Sequence, residues 1–151
     1  MIREGKKLPA DVLSKIPDVI TKIKKDTDVI ALYVFGSVVE SNLKPLSDLD
    51  FAILLSDSLE RNDRFYKSID LIGLFNETLK TNEVDMVILN DDPVGFAFNI
   101  VNTGKLLYCR DQGRLLDFIE KTTKLYLDFK PVRDQFDRIF LEGIGYHGRA
   151  D

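Results

Sequence analysis

Gly36-Ser37-Val38-Val39-Glu40-Ser41-Asn42-Leu43-Lys44-Pro45-Leu46-Ser47-Asp48-Leu49-Asp50 is the stretch that decides how this chain is read, and it is answered later by Asp85 in Glu83-Val84-Asp85-Met86-Val87-Ile88-Leu89. From Asp48 to Leu55 the residues alternate as a strand would, and alternate side chains of a strand share a face. Asp48 and Asp50 are therefore expected on one face, with Leu49, Phe51, Ile53 and Leu55 on the other. Val84 to Leu89 reads as a second strand, largely apolar or β-branched, with Asp85 near its start. If the two strands are neighbours, three carboxylates converge. Two like unit charges about 4 Å apart repel by about 4 kcal/mol at an effective dielectric near 20, so such a cluster calls for a cation. Mg²⁺ fits, because it takes hard oxygen ligands and completes its shell with water and phosphate oxygens.

An isolated aspartate most often ends as a turn or edge residue. Here the joint pattern decides: an apolar strand from Val29 to Phe35, a Gly-Ser turn, a polar loop, Ser-Asp-x-Asp opening a second strand, and an aspartate in a third. Gly36 allows a ligand close to the backbone, and Ser37 offers a hydroxyl and an N–H to phosphate oxygens. Ser37 can equally cap a helix. It has no histidine base beside it in the motif, so it is not read as a nucleophile.

With these residues the chain resembles the polymerase-β-like nucleotidyltransferases, whose signature is Gly-Ser, a loop, Ser-Asp-x-Asp and a distant third Asp. Gly36, Ser37, Ser47, Asp48 and Asp50 match in register. The spacing is similar to that of the minimal (MNT) nucleotidyltransferases, and the segment from Val84 to Asp111, with its Asn-Asp-x-Pro and Gly-x-x-Leu-Tyr, resembles the MNT antitoxins of MNT/HEPN toxin-antitoxin pairs. The likeness runs from about Val29 to Phe136. It implies an α/β (α+β) fold of the polymerase-β-like kind, a small mixed sheet flanked by helices with further helices at the C-terminus.

The resemblance also implies chemistry. Asp48 and Asp50 would hold two divalent ions, Mg²⁺ or Mn²⁺, and Asp85 would complete the nucleophile-side ion and take the nucleophile's proton. Gly36, Ser37, Ser47 and Lys44 would contact the nucleotide and its phosphates. The implied reaction moves AMP from ATP to a tyrosine hydroxyl of a cognate HEPN ribonuclease toxin, adding bulk and negative charge where RNA must bind. One departure stands out: where the family motif has Ala-Arg-Gly, this chain has Val39-Glu40-Ser41. A glutamate within a Debye length of about 8 Å would repel a triphosphate, and Lys44 is the nearby compensating charge. Glu40 therefore favours an alternative, an antitoxin acting by occlusion with weak catalysis. A small-molecule nucleotidyltransferase is a further alternative, although the chain is short for an added substrate domain.

The whole chain agrees with this frame. Its 151 residues suit a single domain, with a core over about 29–136 and a flexible tail over 142–151. At 44% hydrophobic and 30% charged it has the composition of a globular protein. A net charge of -4 argues against a broad nucleic-acid surface. There is no stretch apolar enough for a membrane span and no hydrophobic leader in MIREGKKLPA, so a cytoplasmic protein is expected. The lone Cys109 cannot form an internal disulfide and reads as a small core residue.

Helical periodicity covers residues 9–26, where Pro17 must kink the helix or start a second one, and Arg61 to Lys80, where Phe65, Ile69, Ile72, Phe75 and Leu79 are expected to pack on the sheet as core. Pro93 to Thr103 reads as a helix stopped by Gly104, and Leu106 to Tyr108 as a short strand. A long amphipathic helix carries Leu115 through Phe129, with a kink or a new helix at Pro131 running to about Leu141. Gly143-Ile144-Gly145-Tyr146-His147-Gly148 matches GxGxxG in letters only, since no strand-turn-helix context with a later acid can follow within three residues. His147, in the same tail, reads as solvated.

Overall fold

The computed structural model describes residues 12–36 and 49–143. A 3-10 turn, Val12–Lys15, leads into helix α1, Ile16–Ile23, with Pro17 in the first turn, where its missing N–H would have had no partner anyway. The proline thus starts a second helical piece rather than kinking one long helix. Strands β1 (Val29–Phe35) and β2 (Leu49–Leu55) follow, then helix α2 (Arg61–Leu79) and strand β3 (Val84–Ile88). A 3-10 turn at Leu89–Asp91, helix α3 (Val94–Thr103), strand β4 (Lys105–Cys109) and helix α4 (Gln112–Gly143) complete the described chain.

The sheet is mixed, in the order β3-β2-β1-β4. β1 is antiparallel to both neighbours, while β2 and β3 run parallel, joined by the crossover through α2. Parallel neighbours need such a crossover because no tight turn can reverse the chain twice. Strand alternation divides the core in two. Leu49, Phe51, Ile53 and Leu55 face one layer with Val19 and Ile23 of α1 and Leu71, Phe75 and Leu79 of α2. Ala52 and Leu54 face the other, with Ile30, Ala31, Tyr33, Ala97 and Ile100 of α3 and Leu115 of α4. β1 is buried on both faces, as its unbroken apolar run requires.

Helix α2 corrects one expectation. Phe75 and Leu79 are fully buried, with Phe75 edge-on to Phe51 at 5.0 Å between ring centres, but Phe65 and Ile69 are about half exposed, at 56% and 49%. The face toward the sheet is Ser68, Leu71, Phe75, Thr78 and Leu79, rotated from the purely apolar stripe. Two hydroxyls can be buried there because the helix satisfies them itself: Ser68 donates to the Phe65 carbonyl at 2.6 Å and Thr78 to the Leu74 carbonyl at 2.7 Å. Thr78 also accepts from Lys22 Nζ at 2.9 Å, which ties α2 to α1.

Gly104 closes α3, where a Cβ would lie 2.5 Å from the Ile100 carbonyl oxygen. Beyond it, α4 runs as one helix past Pro131 rather than as two, although the proline offers no N–H to the carbonyl one turn back. Phe98 of α3 stacks on Tyr126 of α4 at 4.1 Å, and Arg133 lies over the same ring, so the two C-terminal helices are joined by an aromatic contact. Cys109 is half-buried beside the second layer. No described helix is long and apolar enough to cross a membrane.

Candidate active site at the Gly36 end of the sheet

Register places the carboxylates. Phe35 of β1 is paired with Asp50 of β2, and Asp50 is paired with Asp85 of β3. Neighbouring strands lie about 4.8 Å apart, and residues in register on parallel strands point to the same face. Asp50 and Asp85 therefore stand side by side on adjacent strands, Asp50 half-buried and Asp85 exposed. The backbone N–H of Leu49 donates to the Glu83 carbonyl at 3.0 Å, which fixes the start of β2 against the turn into β3.

Gly36 completes this row, and its identity is dictated twice. Its φ of +76° belongs to the left-handed region, and a Cβ there would fall 2.8 Å from Asp50 Oδ2. The missing side chain leaves the space that the Asp50 carboxylate occupies. Ser37, Lys44, Ser47 and Asp48, with Glu40, lie outside the described residues. Among the described residues no group of three His, Cys, Asp or Glu side chains forms a metal cage. The donor set that is described, two carboxylates in adjacent register against a glycine backbone, is chemically suited to a hard divalent cation such as Mg²⁺.

The opposite end of the sheet holds polar groups that strand and helix periodicity did not single out. Arg64 of α2 donates through Nε to Asp91 Oδ2 at 2.9 Å and through Nη2 to Asp91 Oδ1, a two-pronged pair that holds the Asp91 carboxyl below the usual carboxylate range. Asn90 donates to the Leu55 carbonyl and accepts from the Leu55 N–H, each at 2.9 Å. These residues are 27 and 35 positions from their partners, so only the Asn-Asp-x-Pro letters hinted at them.

Comparison with known proteins bears on the fold and the family together. Residues 18–113 match the family model described as Polymerase beta, Nucleotidyltransferase. A stretch of 47 residues is 45% identical to spectinomycin 9-adenylyltransferase of Enterococcus faecalis, covering 31% of this chain and 18% of that enzyme. Among solved structures, a toxin-antitoxin structure with AMP-PNP superposes with a TM-score of 0.65 at 24% identity, covering 85% of this chain and 97% of the other. A tri-AMPylated Shewanella oneidensis HEPN toxin in complex with its MNT antitoxin gives 0.59 at 23% identity, covering 86% and 96%. At such identities the structural likeness establishes the fold, and the mixed sheet with flanking helices is the one expected from the sequence. The family match spans most of the chain, including Gly36 and the strands that carry Asp50 and Asp85, and by it the chain belongs to the polymerase-β nucleotidyltransferase family.

Proposed function

We propose that this chain is an antitoxin that transfers AMP from ATP to a tyrosine hydroxyl of a HEPN ribonuclease toxin. The observation that carries the proposal is the row Gly36, Asp50 and Asp85, two carboxylates in register against a backbone with no side chain, within a nucleotidyltransferase family domain. The nature of the acceptor draws support from the neighbours of similar fold, one a toxin-antitoxin structure with AMP-PNP and another an AMPylated HEPN toxin held by an MNT antitoxin.

When bound, Mg²⁺ or Mn²⁺ ions supply charge neutralisation for the reacting α-phosphate and the departing pyrophosphate. Asp50, with Asp48, holds that charge in place, and Asp85 supports the nucleophile side. Tyrosine oxygen forms a bond to the α-phosphorus, the bond between that phosphorus and the β-bridging oxygen breaks, and pyrophosphate leaves. Asp85 receives the hydroxyl proton and passes it to solvent. Ser37, Ser47 and Lys44 contact the triphosphate beside Gly36 in this reading.

Glu40 in place of the family arginine favours a second reading, in which the protein silences its partner by occlusion. ATP labelled on the α-phosphate separates the possibilities when the protein is mixed with the HEPN-type product of a neighbouring gene and with spectinomycin. Label on a toxin tyrosine is the expected result. A stable complex without label supports occlusion, and label on the antibiotic alone overturns the protein acceptor.

A further inference from the structure

Helix α4 carries an apolar repeat past the point where the body of the protein stops covering it. In its first turns Leu115 and Thr122 are buried, and Phe118 packs against the core layer that α3 shares. The same alternation of three and four residues runs on through Leu125, Phe129 and Val132, and Ile139 falls one heptad after Val132. Phe129, Val132 and Ile139 are each more than half exposed, and Leu125 nearly so. A contiguous apolar strip differs from scattered surface hydrocarbon in that it marks an interaction surface.

The polar residues beside the strip select its occupant. Tyr126 and Arg133 flank it on one side, and Asp128 and Gln135 on the other. An antiparallel second copy that sets its Val132 against Phe129 brings its Gln135 opposite Asp128 and its Arg133 opposite Tyr126, so no like charges meet. Sliding the copy by one heptad in one direction sets Asp128 against Asp128, and in the other direction Arg133 against Arg133, which is unfavourable in either case. A parallel copy would bring Asp128 to Arg133, but it would also carry a second body into the space beside Leu115 and Thr122 that the first body fills.

The antiparallel register also meets a cavity. Ile139 of the second copy comes opposite Thr122, where a space of about 470 Å³ opens at the end of the sheet opposite Gly36. Phe118, Thr122 and Leu125 line it from α4, and Leu54 and Leu55 from β2. The end of a helix bearing an isoleucine finds room there, and two-fold symmetry makes each copy fill the cavity of the other.

We propose that this strip docks a second copy of the chain, α4 against α4 and antiparallel, with Phe129 against Val132 at the centre. The assignment is independent of the transferase reading, since α4 carries neither Asp50 nor Asp85.

Sedimentation equilibrium of the full chain alone, between about 5 and 500 µM, tests it. A monomer–dimer equilibrium is expected. Val132→Asp places a carboxylate in the seam and should raise the dissociation constant about tenfold or more, whereas Leu127→Asp, at a similarly exposed position off the strip, should leave it unchanged. Spin labels on cysteines introduced at the exposed positions Lys130 or Glu120, in Cys109→Ser protein, read the orientation and keep the test open should Val132→Asp fail to fold. In the antiparallel dimer the two Lys130 sites lie nearly level, while the two Glu120 sites are offset by about 32 Å along the helix at 1.5 Å per residue. A chain that stays monomeric throughout overturns the proposal. So does a dimer undiminished by Val132→Asp, equal weakening by Leu127→Asp, or equal label distances at the two sites.

Discussion

The two ends of this sheet handle aspartate in opposite ways. At the far end the fold brings its own cations to the acids: Arg64 grips Asp91, and Lys67 lies 2.8 Å from Asp26 and 3.4 Å from Asp28, so α2 is strapped to the turns beneath it. At the Gly36 end, strand register sets Asp50 beside Asp85, acid next to acid. The same side chain is a strut where a helix supplies a guanidinium or ammonium, and in the proposed reading a metal ligand where strand register sets a second carboxylate beside it.

Asp50→Asn breaks the contrast most severely. It keeps the size of the side chain and removes the charge, so AMP transfer should fall by at least about 10²-fold while the protein remains folded. Intact-mass measurement of the toxin partner checks the first outcome and urea denaturation the second. Retained transfer would mean that the acidic row is structural, like the far end. Asp85→Asn should likewise lose transfer while the complex with the partner still forms on a sizing column.

Gly36→Ala comes next, because it acts on Asp50 from the backbone. The left-handed conformation costs a residue with a Cβ roughly 1–2 kcal/mol, and the methyl group would lie 2.8 Å from Asp50 Oδ2. Transfer should drop by more than the measured stability loss accounts for, since the carboxylate must move to make room. A variant with lowered stability and unchanged transfer would separate Gly36 from the site.

How much of this was legible in the sequence depended on the range of the interaction. The alternation from Leu49 to Leu55 set two faces and the layers behind them, because alternation is a property of consecutive residues; of the Gly36-Ser37 turn read from the sequence, only Gly36 lies among the described residues, with its φ of +76°. Phe65 and Ile69 misled: an apolar stripe at helical spacing looks alike whether it faces a sheet or solvent, and Ser68 and Thr78 could be buried only because the helix bonds their hydroxyls. The distal cavity was invisible, since it exists only where α3 and α4 meet β1 and β2. Ser37, Lys44, Ser47 and Asp48, legible as a motif, fall outside the described residues, as does the tail from Ile144 onward.

At the far end, Asn90→Ala tests the struts. It strips Leu55 of the partner for both its N–H and its carbonyl, and leaving buried backbone groups unmatched costs about 2 kcal/mol. Urea midpoints should fall with an unchanged slope, and transfer by the folded protein should be unaffected. Coupled loss of transfer would show that the two ends are not independent.

The finest contrast lies between two adjacent acids at that same end. The Arg64 guanidinium lowers the Asp91 carboxyl from its reference value of 3.8, whereas burial raises that of Asp92 from the same value. For Asp91 the folded value lies below the unfolded one, so its contribution is complete above about pH 4 and disappears as pH falls through the folded value. For Asp92 the order is reversed: there is no penalty while both states are protonated, and a penalty grows as pH rises through 3.8 toward the folded value. Asp91→Asn should therefore destabilise the protein at pH 7, by about 1 kcal/mol given a charge-assisted pair largely screened from solvent, while Asp92→Asn should stabilise it. In acid-unfolding curves followed by circular dichroism, the Asp92 difference should vanish below pH 3.8, and the Asp91 difference should shrink as pH falls below that value through the folded one. Equal signs at pH 7 would show that Asp92 has a cationic partner after all and that the far end treats its two acids alike.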